Sequence, residues 1–465
     1  MLFNSSVFLQ FFAAFLLLYF LCRRSLTARN VLIVAASWLF YGWWDYRFLF
    51  LLIFSGCFDF CAGLLLGRPR APGRRRLILG LSLLVNLSLL GFFKYYGFFV
   101  DSLASLFAQL HVPFHTGTLK IVLPVGISFY TFQSLSYVID IYRCQQQPAR
   151  SLLRYLAYVS FFPQLVAGPI QRAHELLPQL ERTLTITSAM VGEGLWLVLW
   201  GMFKKVAIAD NLAPLVELSF DRTPAGGPAV IAGALAFAFQ IYGDFSGYSD
   251  IARGLACGLG FELRENFRLP YFSLDLREFW RRWHISLSAW LRDYLYISMG
   301  GSRKGPGRTY VNLFATFLLG GLWHGAAWTF VLWGAWHGAG LGVTRWWQQR
   351  RGRFALPPWV AWPATFAFVV TGWVLFRARS LDQLGALGRA LLDWSVPAWF
   401  GNYVLCLALT VAPLVAVEVW QRKRDDPLAP LAAPAWARGA LQGVLVLGVL
   451  LFWEKKSVPF IYFQF

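Results

Sequence analysis

Six histidines occur in 465 residues, and two of them sit in copies of one tripeptide, Trp323-His324-Gly325 and Trp336-His337-Gly338. Both copies lie between Leu313 and Val343, a run that is otherwise almost wholly apolar or small. An ionisable side chain at membrane depth is costly unless it faces a cavity or a partner, so it reads first as functional. A neutral imidazole, with an ordinary pKa of about 6.5, can take a proton from an attacking hydroxyl and give it back near neutral pH. Gly320, Gly321, Gly325, Ala326 and Ala327 leave room for another backbone, or a thin substrate chain, beside His324. The residues alone also allow a plainer role, a hydrogen bond to a neighbouring helix. On one continuous helix, thirteen residues would turn the two rings about 140° apart and separate them by about 20 Å. One centre would not take both. His324, at the far end of a hairpin from the basic Arg345, is the candidate general base, and His337 is a packing residue with a possible polar contact.

A third histidine, His284, lies in the polar stretch from Glu278 to Tyr296. At about 100° per residue, Phe279, Trp283, Trp290 and Tyr294 share one face and Arg281, Ser288 and Arg292 the opposite one. That predicts a helix lying in the interface, rings in lipid or protein and guanidinium groups at phosphate level. His284 falls near the border of the faces, and the pattern fits a packing element as well as a site. Tyr242-Gly243-Asp244-Phe245-Ser246-Gly247-Tyr248-Ser249-Asp250 sets carboxylates and hydroxyls in a long apolar segment. Asp244 and Asp250 are expected to form structural salt bridges with the arginines of the interfacial helix. In Phe161-Phe162-Pro163-Gln164-Leu165-Val166-Ala167-Gly168-Pro169, helix breakers predict a re-entrant segment shaping a cavity wall. Gln164 is its one amide.

The elements that must position these groups are membrane helices. Hydrophobic residues make up 57% of the chain and charged ones 14%, and the mean hydropathy is +0.52. Apolar segments of about 17–25 residues, each long enough to span a bilayer, recur throughout. We expect about 12 spans, over 7–21, 31–44, 48–66, 77–98, 119–141, 188–208, 229–259, 310–322, 326–343, 359–376, 403–419 and 441–453. The first span precedes Arg23 and Arg24, the reverse of a cleaved signal peptide, and is expected to stay. The net charge of +19 gathers in short loops such as Arg74-Arg75-Arg76, which the positive-inside rule places in the cytoplasm. That explains the basic excess without nucleic acid. It also favours anionic membrane lipid and a polyanionic cosubstrate such as a coenzyme A ester. The six cysteines show no redox or metal spacing. Pro113 between His111 and His115 spoils a helical ligand pair, so no metal site is expected. No long linker and no internal repeat appears. The reading is one domain over 1–465, and the missing repeat counts against a secondary transporter.

The Gln164, Asp244–Asp250, Phe279–Ser288 and Trp323-His324-Gly325 segments together resemble the membrane-bound O-acyltransferase family. The similarity is greatest to its bacterial polysaccharide O-acetylation branch, which includes alginate O-acetylation. It extends from the first span to the closing Pro459–Phe465 segment. The resemblance implies an all-α polytopic membrane protein with re-entrant and interfacial helices around a central tunnel. It implies His324 as the catalytic residue and His284 as the second motif histidine on the cytoplasmic side. We expect Arg281 and Arg282 to bind the donor, acetyl-CoA, and Gln164, Asp244, Ser246 and Tyr248 to line the tunnel. No permanently bound cofactor is expected. The setting implied is the bacterial inner membrane, with an exopolysaccharide acceptor and a periplasmic or secreted esterase-like partner that completes transfer. The chain departs at Gln164, where alginate proteins often carry histidine, and other members act on peptidoglycan or cellulose. A transporter or a non-catalytic export scaffold is the rival from another class; either would tolerate loss of His324.

Overall fold

The structure is a computed structural model describing residues 1–113, 119, 121–221, 226–350, 356–453 and 460–461. Among them every regular element is helical. Hydrocarbon surroundings require this, because backbone groups without water must pair within their own segment. Among the described residues five helices are long and apolar enough to cross a bilayer: Tyr46–Gly67, Pro72–Gln109, Gly227–Gly258, Pro358–Arg377 and Phe400–Arg424. Ser6–Cys22, Leu26–Gly42 and Ala435–Leu451 are apolar but shorter. This is the architecture of a multi-pass membrane protein. The chain forms two compact units, Met1 with Ser6–Thr185 and Leu2–Ser5 with Ile186–Phe465.

In the first unit, the helix expected over 77–98 is part of a longer one, Pro72–Gln109, carrying a π-turn at Gly91–Tyr95. The span expected over 119–141 becomes helical only at Ile127. Gly126 precedes it at φ +75, and a Cβ there would stand 2.8 Å from the Leu165 carbonyl, so the left-handed turn and the close approach both need glycine. The Pro163 segment breaks as expected. Leu152–Ser160 ends, Phe161 turns out, and Phe162–Leu165 makes one further turn. Ending a helix orphans carbonyls. Here the Tyr158 carbonyl accepts from both Gln133 Nε2 and Gln164 Nε2, at 2.9 Å each. His115 lies outside the described residues.

In the second unit, Ser188–Met202 continues through a π-turn at Phe203–Ala209 into Asp210–Phe220. It runs against Gly227–Gly258 at backbone contact. A Cβ on Gly201 would come 2.5 Å from the Gly247 carbonyl, and one on Gly247 2.7 Å from that of Gly201. Small residues let membrane helices approach in this way. The single interfacial helix expected over 278–296 does not form. Leu276–Arg282 ends, Trp283 is extended, His284 is left-handed at φ 43, and a new helix starts at Ile285. Tertiary hydrogen bonds outweigh the helical period here. Arg268 N donates to Arg282 O, and Ile285 N to Asn266 O, both at 2.9 Å.

Candidate active site

His324 is the last residue of the helix Gly305–His324, and Trp328–Gln349 begins after Gly325, Ala326 and Ala327. The two helices cross closely because Gly321 and Gly334 lack side chains. A Cβ on Gly321 would meet the Phe330 carbonyl at 2.2 Å, and one on Gly334 the Phe317 carbonyl at 2.4 Å. Gly325 is extended, and the Phe330 ring fills the space where a side chain would be. The break holds the imidazole in an aromatic box. Its ring centre lies 5.0 Å from Trp323, 4.9 Å from Trp333 and 5.3 Å from Phe376.

The histidine opens on one side into a cavity of about 540 Å³, which Arg277, Arg281, Arg292 and Arg345 also line. That size is in the range of small-molecule sites, about 300–1,000 Å³. The arginines differ in their commitments. Arg277 donates to Gln348 Oε1 and Arg292 pairs with Asp293, each at 2.7 Å. Arg281 is exposed and makes no ion pair among the described residues. Arg345 Nε is buried without a hydrogen-bond partner among them. Arg282 turns away: it pairs with Glu278 at 2.7 Å and lines a separate, smaller hollow with Arg268 and Arg422. The structure therefore separates the two neighbouring arginines.

His284 lines neither this cavity nor a second one walled by Ala326, Ala327 and Thr329. It is fully buried, 4.6 Å from the Phe245 ring and 6.1 Å from Trp323, which stands between it and His324. Asn266 Oδ1 faces its Nδ1 at 3.2 Å and accepts from Ser286 N and Oγ. An amide oxygen only accepts. Nδ1 therefore carries the proton and Nε2 keeps a lone pair. Burial pushes the imidazole pKa down to about 3, so it is neutral at physiological pH. Asn266 had no signal in the sequence, since it stands eighteen residues away in a loop.

Asp244 and Asp250 pair chiefly with lysines, and Asp250 also with its helix neighbour Arg253 at 3.7 Å, which corrects the expected partners from the 278–296 stretch. Lys205 Nζ bridges Asp244 and Asp210 at 2.8 Å each, and Lys204 Nζ holds Asp250 at 2.6 Å and Ser246 Oγ at 3.0 Å. The glycine contact above brings these helices close enough. Asp244 also accepts from Ile461 N at 2.7 Å, and Tyr248 packs between Phe3 and Phe460. Asp244, Ser246 and Tyr248 line neither cavity. Two lysines within an apolar segment were themselves the signal for this cluster. Gln164 belongs to the first unit, where it caps Tyr158. His337 is fully buried beside Trp280 and Trp333, and both its nitrogens lack a hydrogen-bond partner among the described residues. Its ring stands 4.9 Å from Trp333, as that of His324 does, so the hairpin brings the two histidines far closer than one helix would.

A helical multi-pass membrane protein with a buried imidazole facing an arginine-rimmed cavity has the build of a membrane-embedded enzyme. The model of the MBOAT, membrane-bound O-acyltransferase, family matches residues 146–381. The chain is 40% identical to the probable alginate O-acetylase AlgI of Pseudomonas putida, covering 100% of both chains. It is 45% identical to that of Azotobacter vinelandii over 99% of this chain and 94% of the relative. Identity to the peptidoglycan O-acetyltransferase of Helicobacter pylori is 37%, over 82% and 78%. The chain belongs to the membrane-bound O-acyltransferase family, and its activity is O-acyl transfer.

Proposed function

We propose that the chain takes an acetyl group from a cytoplasmic thioester, acetyl-CoA, and delivers it across the bacterial inner membrane for O-acetylation of an exported polysaccharide. The observation that carries this reading is His324 at the wall of a cavity rimmed by Arg277, Arg281, Arg292 and Arg345. Among the described residues lining the cavity, Arg281 and the Nε of Arg345 are the donors left for the coenzyme phosphates, and fixed guanidinium forks suit phosphate oxygens. His324 takes the proton of the attacking hydroxyl. The oxygen bonds to the thioester carbonyl carbon, the C–S bond breaks, and the imidazolium returns the proton to the departing thiolate. The aromatic box keeps water from the thioester. His284, tied to Asn266, supports this wall through Trp323.

The arrangement proposed around this centre is one domain of about 12 spans, with a tunnel passing His324. An esterase-like partner outside the cytoplasm completes transfer to the polymer. The polymer favoured is alginate or a similar exopolysaccharide, by likeness to the two alginate O-acetylases. The peptidoglycan O-acetyltransferase supports a second polymer. Ester-linked acetate in exopolysaccharide and in peptidoglycan, measured in a deletion strain complemented with wild type, His324→Ala or His337→Ala, tests the reading. Wild type should restore acetate to one polymer. His324→Ala should restore none at normal membrane level, while His337→Ala keeps measurable activity or lowers protein level. Full acetylation by His324→Ala would overturn the assignment and favour a scaffold.

A further inference from the structure

Beyond the Gly325–Ala327 break lies a second cavity of about 550 Å³, whose wall includes Ala326, Ala327, Thr329 and Gln240. Two oxygens in that wall, Thr329 Oγ1 and Gln240 Oε1, are buried and have no hydrogen-bond partner among the described residues. Thr329 is 1% exposed. Helical threonines usually settle such a hydroxyl by donating to the carbonyl four residues back. Thr309, Thr316 and Thr371 do so here, to Gly305, Asn312 and Ala367. Thr329 is the second residue of its helix, and the residue four back is Gly325, in the break. The break that ends the helix at His324 thus also leaves a threonine hydroxyl without its ordinary acceptor.

Buried polar atoms are normally paired, and an unpaired one lining a cavity is suited to a ligand. Gln240 Oε1 can only accept a hydrogen bond, whereas the Thr329 hydroxyl can donate and accept. The pair fits an acceptor with neighbouring hydroxyls: the Thr329 hydroxyl donates to the attacking oxygen, whose own proton stays free for His324, and Gln240 Oε1 accepts from the adjacent hydroxyl. We propose that Thr329 and Gln240 are positioning residues that hold the acceptor's attacking hydroxyl and its neighbour in this second cavity, for attack on a thioester carbonyl delivered from the His324 cavity. This rests on the acyl-transfer reading. The alcohol's proton goes to His324, its oxygen forms the ester C–O bond, the thioester C–S bond breaks, and the thiolate takes the proton.

The test compares Thr329→Val, Thr329→Ser and Gln240→Leu with wild type, as full chains in the complemented deletion strain. Ester-linked acetate on the exported polymer and protein level in the membrane are measured. Binding of a thioether analogue of acetyl-CoA is measured on the same proteins in detergent. Thr329→Val and Gln240→Leu should each lower transfer by about tenfold or more, as one lost hydrogen bond to the acceptor implies. Analogue binding should stay within about twofold of wild type, since donor contacts are untouched. Thr329→Ser keeps the hydroxyl and should recover most of the transfer. Wild-type transfer by Thr329→Val, or loss of analogue binding in parallel with transfer, would overturn the proposal. Failure of the acyl-transfer reading looks different: wild type itself then leaves no acetate on the polymer.

Discussion

Gly325→Ala should disable the enzyme through one ring. Gly325 has φ −159, which any residue adopts, so the backbone raises no objection. The obstacle is Phe330: a Cβ at position 325 would stand 2.0 Å from its Cε2 and 2.3 Å from its Cδ2. To regain ordinary contact at 3.4 Å the ring must retreat by about 1.4 Å. It cannot do so freely, because Phe330 is buried and packs edge-on against Phe376 at 4.8 Å. Phe376 in turn packs on His324. Overpacking of this kind costs about 1–3 kcal/mol, and displacing a catalytic group by about 1 Å can cost about 100-fold in rate. We expect Gly325→Ala to lower acetyl transfer by about 10- to 100-fold in membrane vesicles given labelled acetyl-CoA, with rates normalised to protein level. The double variant Gly325→Ala/Phe330→Leu, whose smaller side chain vacates the space, should recover much of the loss. Wild-type activity in Gly325→Ala, or no recovery in the double variant despite normal insertion, would refute the reasoning.

Charge reversal at Arg281 should raise the KM for acetyl-CoA, and Arg281→Lys should do less, since the charge survives without the fork. Arg282→Glu should act mainly on stability through its partner Glu278; a larger KM effect there than at Arg281 would move the donor site to the smaller hollow. Cysteines placed in the 67–76 segment or at the exposed Arg350 of the basic stretch after Arg345 should resist an impermeant thiol reagent in intact cells, and ready labelling at both would invert the topology. The fully buried His284 makes acid destabilising. Its folded pKa is depressed to about 3 from 6.5, so the unfolded chain binds its proton first. The contribution is complete above about pH 6.5 and is lost toward about pH 3, at up to about 1.4 kcal/mol per pH unit. Thermal melts of wild type and His284→Gln in detergent should therefore converge as pH falls through that window; parallel curves would show that His284 does not titrate this way.

Much of this was legible in the residues. Apolar length and sparse charge determined the helical membrane class, because an unpaired backbone cannot persist in hydrocarbon. Pro163 and Gly168 marked a broken segment, and the glycines around His324 marked a close approach. The imidazole in an apolar run marked a candidate site, and the structure sets it at the wall of an arginine-lined cavity. Faces read from a helical period hold only while the helix continues. At Trp283–His284 the chain leaves the helix for hydrogen bonds to Asn266 and Arg268, and the expected amphipathic face dissolves. The same limit parted Arg281 from Arg282 and brought His337 to within one tryptophan of His324. Lys204 and Lys205 found Asp250 and Asp244 because glycines on two helices let them touch, a pairing between residues some forty positions apart. The sequence by itself determined which groups are too costly to bury without purpose; the tertiary structure alone decided which of them meet, because contacts between distant helices leave no period along the chain.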